Sequence, residues 1–238
     1  MSLKKIFKDI ADSKNSFAHN LRRNRFELFK KFLAPIIAKK SIISVLDVGG
    51  TVAFWERMEF ANKENVEITL LNLAEQNVGP GQNVKCLVGD GCDMASSNDR
   101  EFDVVFSNSV IEHVGTFEKQ RQMAREIRRV GANYFVQTPN YWFPFEPHFM
   151  VIGFQYLPVK TRAFLIRRFS LGWFDKVADY NESIKVASSI RLLRRREMEK
   201  LFPGATIIRP PQQNLRVKNV VESGLNPDLP RFYAFFML

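Results

Sequence analysis

From residue 42 onward the chain alternates between short β-rich runs and helix-compatible stretches. "IISVLDV", "AFWERMEFANK", "VEITLLNL", "VKCLVGD", "FDVVFSN", "TFEKQRQMAREIRRV" and "ANYFVQTPN" follow one another. That order is the signature of a mostly parallel sheet with helices on both faces, an α/β fold. The spacing predicts a helix after Thr116, which can cap it, with Met123, Ile127 and Val130 on one face and basic residues at its end, where they suit the helix dipole. Residues 1–40 form a basic helical segment in which Phe26, Phe29, Leu33 and Ile36 or Ile37 recur at helical spacing. Residues 41–238 make the main domain, interrupted at 141–182 by an aromatic, proline-containing insertion that has the character of a cap. After it, "RRREMEKLFP" is a helix ended by Pro203 and Gly204, "ATIIRP" a strand and "RFYAFFML" a closing strand.

Composition narrows the class. The chain has 238 residues, 45% of them hydrophobic, enough for one large core. No apolar run approaches the roughly 20 residues that cross a bilayer, and the N-terminus mixes acids with bases, so a soluble, cytoplasmic protein is expected. Two cysteines, Cys86 and Cys92, are too few for a disulfide framework. A formal charge of +10 favours anionic partners, and a peripheral contact with the inner membrane face is compatible with it.

In an open parallel sheet, ligands bind beyond the carboxyl ends of the strands. Four such ends carry polar groups or glycines here: Asp47 with Gly49-Gly50, Asn72-Leu73, Asp90-Gly91-Cys92, and Asn108. Glycines there admit a ligand to the backbone and to the free N–H groups of the next helix. An Asn72 amide can bond ribose hydroxyls, and an Asp90 carboxylate can accept from an adenine amine. The G-x-G-x-x-G dinucleotide fingerprint is absent. Each residue also has a plain structural reading: a turn cap for Asp47, a bend for Gly49-Gly50, an ordinary turn for Asp90-Gly91, and a strand terminator for Asn108.

Taken together, "VLDVGG", "LLNL", "VGDG", "FDVVFSNSVIEHV", "EIRRV" and "QTPN" resemble, in order and spacing, the motifs of class I S-adenosylmethionine (SAM) dependent methyltransferases. The match is good over about residues 42–140. It is closest to bacterial small-molecule methyltransferases, including those associated with surface-glycan synthesis, where a "TPN…PFEPH" run also occurs. The resemblance implies a Rossmann-like, seven-stranded, mainly parallel sheet whose last strand runs antiparallel, with SAM as cofactor. It places Asp47 by the loop or the cofactor's ammonium, Gly49 and Gly50 under the methionine portion and Asn72, beside Leu73, at the ribose. Asp90, Gly91 and Cys92 border the adenine, and Asn108 contributes at the fourth strand. This chain departs from the family's pattern at Asn72, usually an acid, and at "TVAF", where another glycine is usual.

The implied acceptor is a small molecule or glycan, methylated at a hydroxyl. A hydroxyl of high pKa calls for a base, and His148 in "PFEPH", with Glu146 to orient it, is the first candidate; His113 is the second. Both also admit a structural role, as a loop clamp and a backbone anchor. Lys160, Arg162, Arg167 and Arg168 in the cap suit a phosphorylated or lipid-linked acceptor. No metal site is required. Nucleic acid is not expected as substrate, because "SNSVIEH" stands where base-amino methyltransferases carry an Asn/Asp-Pro-Pro-aromatic motif. The alternatives are a nucleic-acid methyltransferase and a non-catalytic binding module of the same fold.

Overall fold

The computed structural model describes residues 17–61, 63–79, 83–208 and 232–237. In chain order the main elements are α1 (Phe17–Ile37), β1 (Ile43–Val48), α2 (Val52–Arg57), β2 (Val66–Asn72), β3 (Val84–Val88), β4 (Phe102–Asn108), α3 (Phe117–Val130) and β5 (Gly131–Pro139). There follow β6 (Phe145–Glu146), β7 (Val151–Ile152), α4 (Val159–Arg168), α5 (Tyr180–Ser188), α6 (Arg195–Leu201), β8 (Thr206–Ile208) and β9 (Phe232–Met237). The main sheet has the order β3-β2-β1-β4-β5-β9-β8, so β1 and β4 lie side by side at its centre. Strands β1 to β5 pair in parallel throughout.

The expected antiparallel last strand is not found. β9 runs parallel to both β5 and β8, and antiparallel pairing occurs instead in the small β6–β7 hairpin. A parallel return needs a connection of a dozen or more residues, and residues 209–231 are long enough to make one.

Side chains alternate across a strand, so each strand feeds two cores. Val45, Ile68, Leu70, Val104, Phe106 and Phe135 pack on one face with Phe26, Phe29 and Leu33 of α1 and Trp55 of α2. Leu46, Val48, Leu71, Val105 and Val136 pack on the other with Met123, Ile127 and Val130 of α3 and Met198 of α6. Of the helical stripe expected in residues 1–40, Phe26, Phe29 and Leu33 are buried and Ile36 and Ile37 partly so; residues 1–16 lie outside the described residues. Thr116 caps α3 by accepting from the Lys119 N–H at 3.3 Å, a contact worth about 1 kcal/mol.

The cap has its own core. Phe149, Phe154, Ala163, Ile166, Ala187 and Ile190 bury one another, and Phe149 stacks on Phe174. It therefore stands as a packed unit, fixed to the sheet domain by the chain leaving β5 and by Arg191, whose N–H donates to the Glu112 carbonyl at 2.8 Å.

Candidate functional site

The ends of β1 to β4 open into two cavities that share Gly49. The larger, about 630 Å³, lies on the α3 side and is lined by Asn72, Leu73, Asp90, Gly91, Cys92 and His113. The smaller, about 330 Å³, lies on the α1 side and is lined by Asp47, Gly50, Asn108 and Arg25. All nine cofactor residues expected from the sequence thus line one cavity or the other. The single row becomes two chambers because neighbouring residues of β1 point to opposite faces of the sheet.

The two glycines are required for reasons the pattern did not disclose. Gly49 has φ of 78°, in the left-handed region that glycine favours, and a Cβ there would fall 2.6 Å from Val110. A Cβ on Gly50 would fall 1.6 Å from Oδ2 of Asp47. The missing side chains therefore make room for the protein's own Val110 and Asp47.

Asp47 is 1% exposed on the central strand. Its Oδ2 accepts from the Trp55 indole N–H at 2.7 Å, and its Oδ1 has no partner. Burial pushes this carboxyl up to about 7, against the pull of the Trp55 bond. Asn108 Oδ1, in the same chamber, is also buried without a partner. Two orphan acceptors facing one cavity suit a cationic donor such as the ammonium of an amino acid, and Arg25 on the same wall suits its carboxylate. The larger chamber falls in the size range of ligand pockets, roughly 300–1,000 Å³. The residues present thus fit SAM.

Asn72, on the wall of the larger chamber, also holds the glycine loop. Its Nδ2 donates to the Gly50 carbonyl at 2.9 Å, beside Gln76 Nε2 at 2.8 Å, while Gln76 Oε1 accepts from the Val52 N–H at 3.2 Å. Asn72 and Gln76 together clamp the glycine loop, and Gln76 went unrecognised in the sequence because it lies past the strand end. Asn72→Asp would turn a carboxylate towards a carbonyl. We expect it to weaken SAM binding by about tenfold, the loss of one hydrogen bond plus a repulsion, as read by calorimetry.

Asp90 and Cys92 form a tight turn, with the Cys92 N–H donating to Asp90 Oδ1 at 2.8 Å. Gly91 packs against Val48, where a Cβ would fall 2.7 Å away. Leu73 is 80% exposed at the rim of the larger chamber. Burial, and then the Asp90 charge, push the Cys92 thiol up to about 11, so it stays protonated.

A third set of groups stands at the start of the cap. His148 Nδ1 lies 2.7 Å from Glu146 Oε1, and Glu146 Oε2 accepts from the backbone N–H groups of His148 and Phe149. The orientation of His148 by Glu146 expected from sequence is present. His148 Nε2 lies 3.9 Å from Oε1 of Glu112, and its ring meets that of His113 edge-on, centroids 4.8 Å apart. Glu112, fully buried, was not singled out in the sequence, where it is one acid in "VIEHV". Its Oε2 accepts from Thr138 at 3.0 Å and its Oε1 has no partner. Partial burial, and then the neighbouring His148, push the His113 imidazole down to about 4, although its outer edge is open to solvent.

Next to Glu146 a cavity of about 240 Å³ lies between the cap and the segment entering α6, lined by Tyr141, Phe149 and Arg162 on one side and Arg191 and Arg194 on the other. Arg162 turns into it, its Nε buried without a partner. Arg167 and Arg168, given equal weight in the sequence, are exposed on α4 over Tyr180 and Phe164. Arg194 reads as part of a solvated run, yet it stacks on Tyr141 and Trp142 at the cavity wall. Among the described residues no helix is long and apolar enough to cross a membrane.

Comparison with known proteins bears on the sheet domain. Residues 46–133 match the family described as Methyltransferase domain. An uncharacterized protein of Mycobacterium tuberculosis, found in strains CDC 1551 and H37Rv, is 37% identical over 57 residues, which are 24% of this chain and 20% of that protein. The match thus spans about a fifth of the length of these relatives. A SAM-dependent methyltransferase structure from Methanosarcina mazei is 13% identical with a TM-score of 0.42, over 71% of this chain and 82% of that one. One from Aquifex aeolicus is 14% identical with a TM-score of 0.42, over 71% and 88%. The family match runs from β1 into β5, the strands whose ends build both chambers, so it is to a methyltransferase domain that residues 46–133 are similar.

Proposed function

We propose that the protein transfers the methyl group of SAM to a hydroxyl of a small-molecule or glycan-type acceptor seated beneath the cap. The observation that carries this reading is the Glu112–His113–His148–Glu146 cluster. It links a cofactor-sized chamber, lined by His113, to a separate cap cavity, lined by Glu146. When bound, the cofactor supplies an electrophilic methyl on a positively charged sulfur. The protein's own part is alignment, exclusion of water by the cap's packed aromatics, and activation of the acceptor.

His148 is central to that activation. With Nδ1–H held by Glu146, Nε2 carries a lone pair beside Glu112 and His113 and can take the proton of a hydroxyl. Arg162 and Arg194 suit an anionic group on the acceptor, a phosphate or carboxylate, and Tyr141 and Phe149 suit a ring face.

The test is to incubate the purified protein with radiolabelled SAM and fractionated cell extract. Label in a glycan or small-metabolite fraction, stable to the mild base that cleaves methyl esters, is the expected result; label in nuclease-sensitive material, or none in any fraction, overturns it. Once the acceptor is in hand, His148→Ala should cut turnover roughly hundredfold with SAM affinity unchanged. Arg162→Gln should instead raise the acceptor's KM about tenfold, the loss of one charge-assisted contact.

A further inference from the structure

We infer that Glu112, His113 and His148 form a binding site for one divalent first-row transition cation of the zinc class. One ligand atom from each lies within 4.8 Å of the others. Glu112 is the firmest observation. Its side chain is 0% exposed, yet Oε1 has no hydrogen-bond partner and is aimed at His148 Nε2 across 3.9 Å. That separation is too long for a hydrogen bond and suits two ligands that each reach a common ion at about 2.0–2.2 Å. A buried carboxylate oxygen left without a partner is costly, and a cation satisfies it.

The surroundings are those of a metal site. His148 is held through Nδ1 by the Glu146 carboxylate, the arrangement that fixes the tautomer and orientation of a ligating imidazole. Glu112 is held through Oε2 by Thr138. The short turn that carries Glu112 and His113 is anchored by Gln120, whose Nε2 donates to the Ile111 and Arg191 carbonyls at 2.9 and 2.8 Å. Two anchored ligands are thus preset, and the solvent-edged His113 completes the set by rotation. Two imidazoles and one carboxylate leave a coordination position open, as in catalytic rather than structural sites.

The inference rests on the acceptor's location proposed above and specifies the means of activation. A cation on Nε2 lowers the pKa of an acceptor hydroxyl; the proton passes to water instead of to the ring, and the oxygen takes the methyl while the carbon–sulfur electron pair stays on sulfur.

The experiment is titration of chelator-dialysed protein with Co²⁺ alone, followed by its visible absorption, with Zn²⁺ as competitor. One equivalent per chain is expected, displaced by Zn²⁺. Glu112→Gln and His148→Ala should each weaken it at least tenfold, and Glu146→Gln by 10- to 100-fold. His19→Ala, at the histidine outside the cluster, should leave it unchanged. Unaltered SAM affinity in each variant reports an intact fold. No Co²⁺ uptake by the wild type, or equal uptake by the Glu112 and His148 variants, overturns the inference. Chelated protein that still labels its acceptor would overturn the cation's part in activation and leave methyl transfer standing; metal binding without any labelling would leave the cation site standing and overturn methyl transfer.

Discussion

Gly50→Ala should lower the unfolding free energy by about 3 kcal/mol and reduce SAM affinity by more than tenfold, although it adds a single methyl group. The new Cβ would be 1.6 Å from Asp47 Oδ2, and neither side can yield cheaply. Asp47 is anchored on the central strand and bonded to Trp55, while the Gly50 carbonyl is held by Asn72 and Gln76. Denaturant midpoints measure the effect, and a double variant identifies the cause. Asp47→Ala alone destabilises, because it leaves the buried Trp55 N–H without a partner. Combined with Gly50→Ala it should recover part of the loss, since the clash is gone. Strict additivity of the two changes would show that the glycine is needed for some other reason.

The second large effect is a pH dependence centred on the same carboxyl. Asp47 rises from 3.8 to about 7 in the folded protein because burial disfavours its charge. The folded state then holds the proton more tightly than the unfolded chain. Its contribution is fully present below about pH 4 and is lost as the pH rises through about 7, a change on the order of 4 kcal/mol. Wild type should therefore lose stability across that window relative to Asp47→Asn, in which every other titrating group is retained. Cofactor affinity should move the other way. SAM binding by the wild type should strengthen from pH 6 to 8 as the carboxylate forms to meet an ammonium, and the Asn variant should bind more weakly with no such rise. Parallel stability curves for the two proteins would overturn the raised carboxyl, and equal SAM affinity at pH 8 would remove Asp47 from the cofactor site.

Much of this was legible in the linear chain because the signals are local. A strand buried on both faces must be apolar along its own length, and a helix on a sheet must repeat its apolar residues every three or four positions, so β1 to β5, α1 and α3 could be located from their own residues. Strand ends in a parallel sheet converge by construction, which is why Asp47, Asn72, Asp90 and Asn108 group together from the linear chain. Glu146 and His148 are two residues apart, and their pairing was within reach for the same reason.

Other features required the tertiary structure because they depend on residues distant in sequence or on the direction in which a side chain points. The parallel course of β9 is fixed by its pairing with β5 and β8, strands distant in sequence from one another, which no local pattern encodes. Arg194 meets Tyr141, and Arg162 rather than Arg167 or Arg168 turns into the cap cavity, only once the cap has folded on its own core. Glu112 is the clearest case. In the sequence it is an ordinary acid in a polar turn; in the fold it is fully buried, held by Thr138 of β5 and facing His148 of the cap with one oxygen unpaired. Local composition and period determined which segments form the sheet and where its ligand edge lies, since each segment carries its own burial pattern. The identity of the groups that meet between the turn after β4 and the start of the cap was decided by long-range packing alone, because a buried charge is recognised only by what surrounds it.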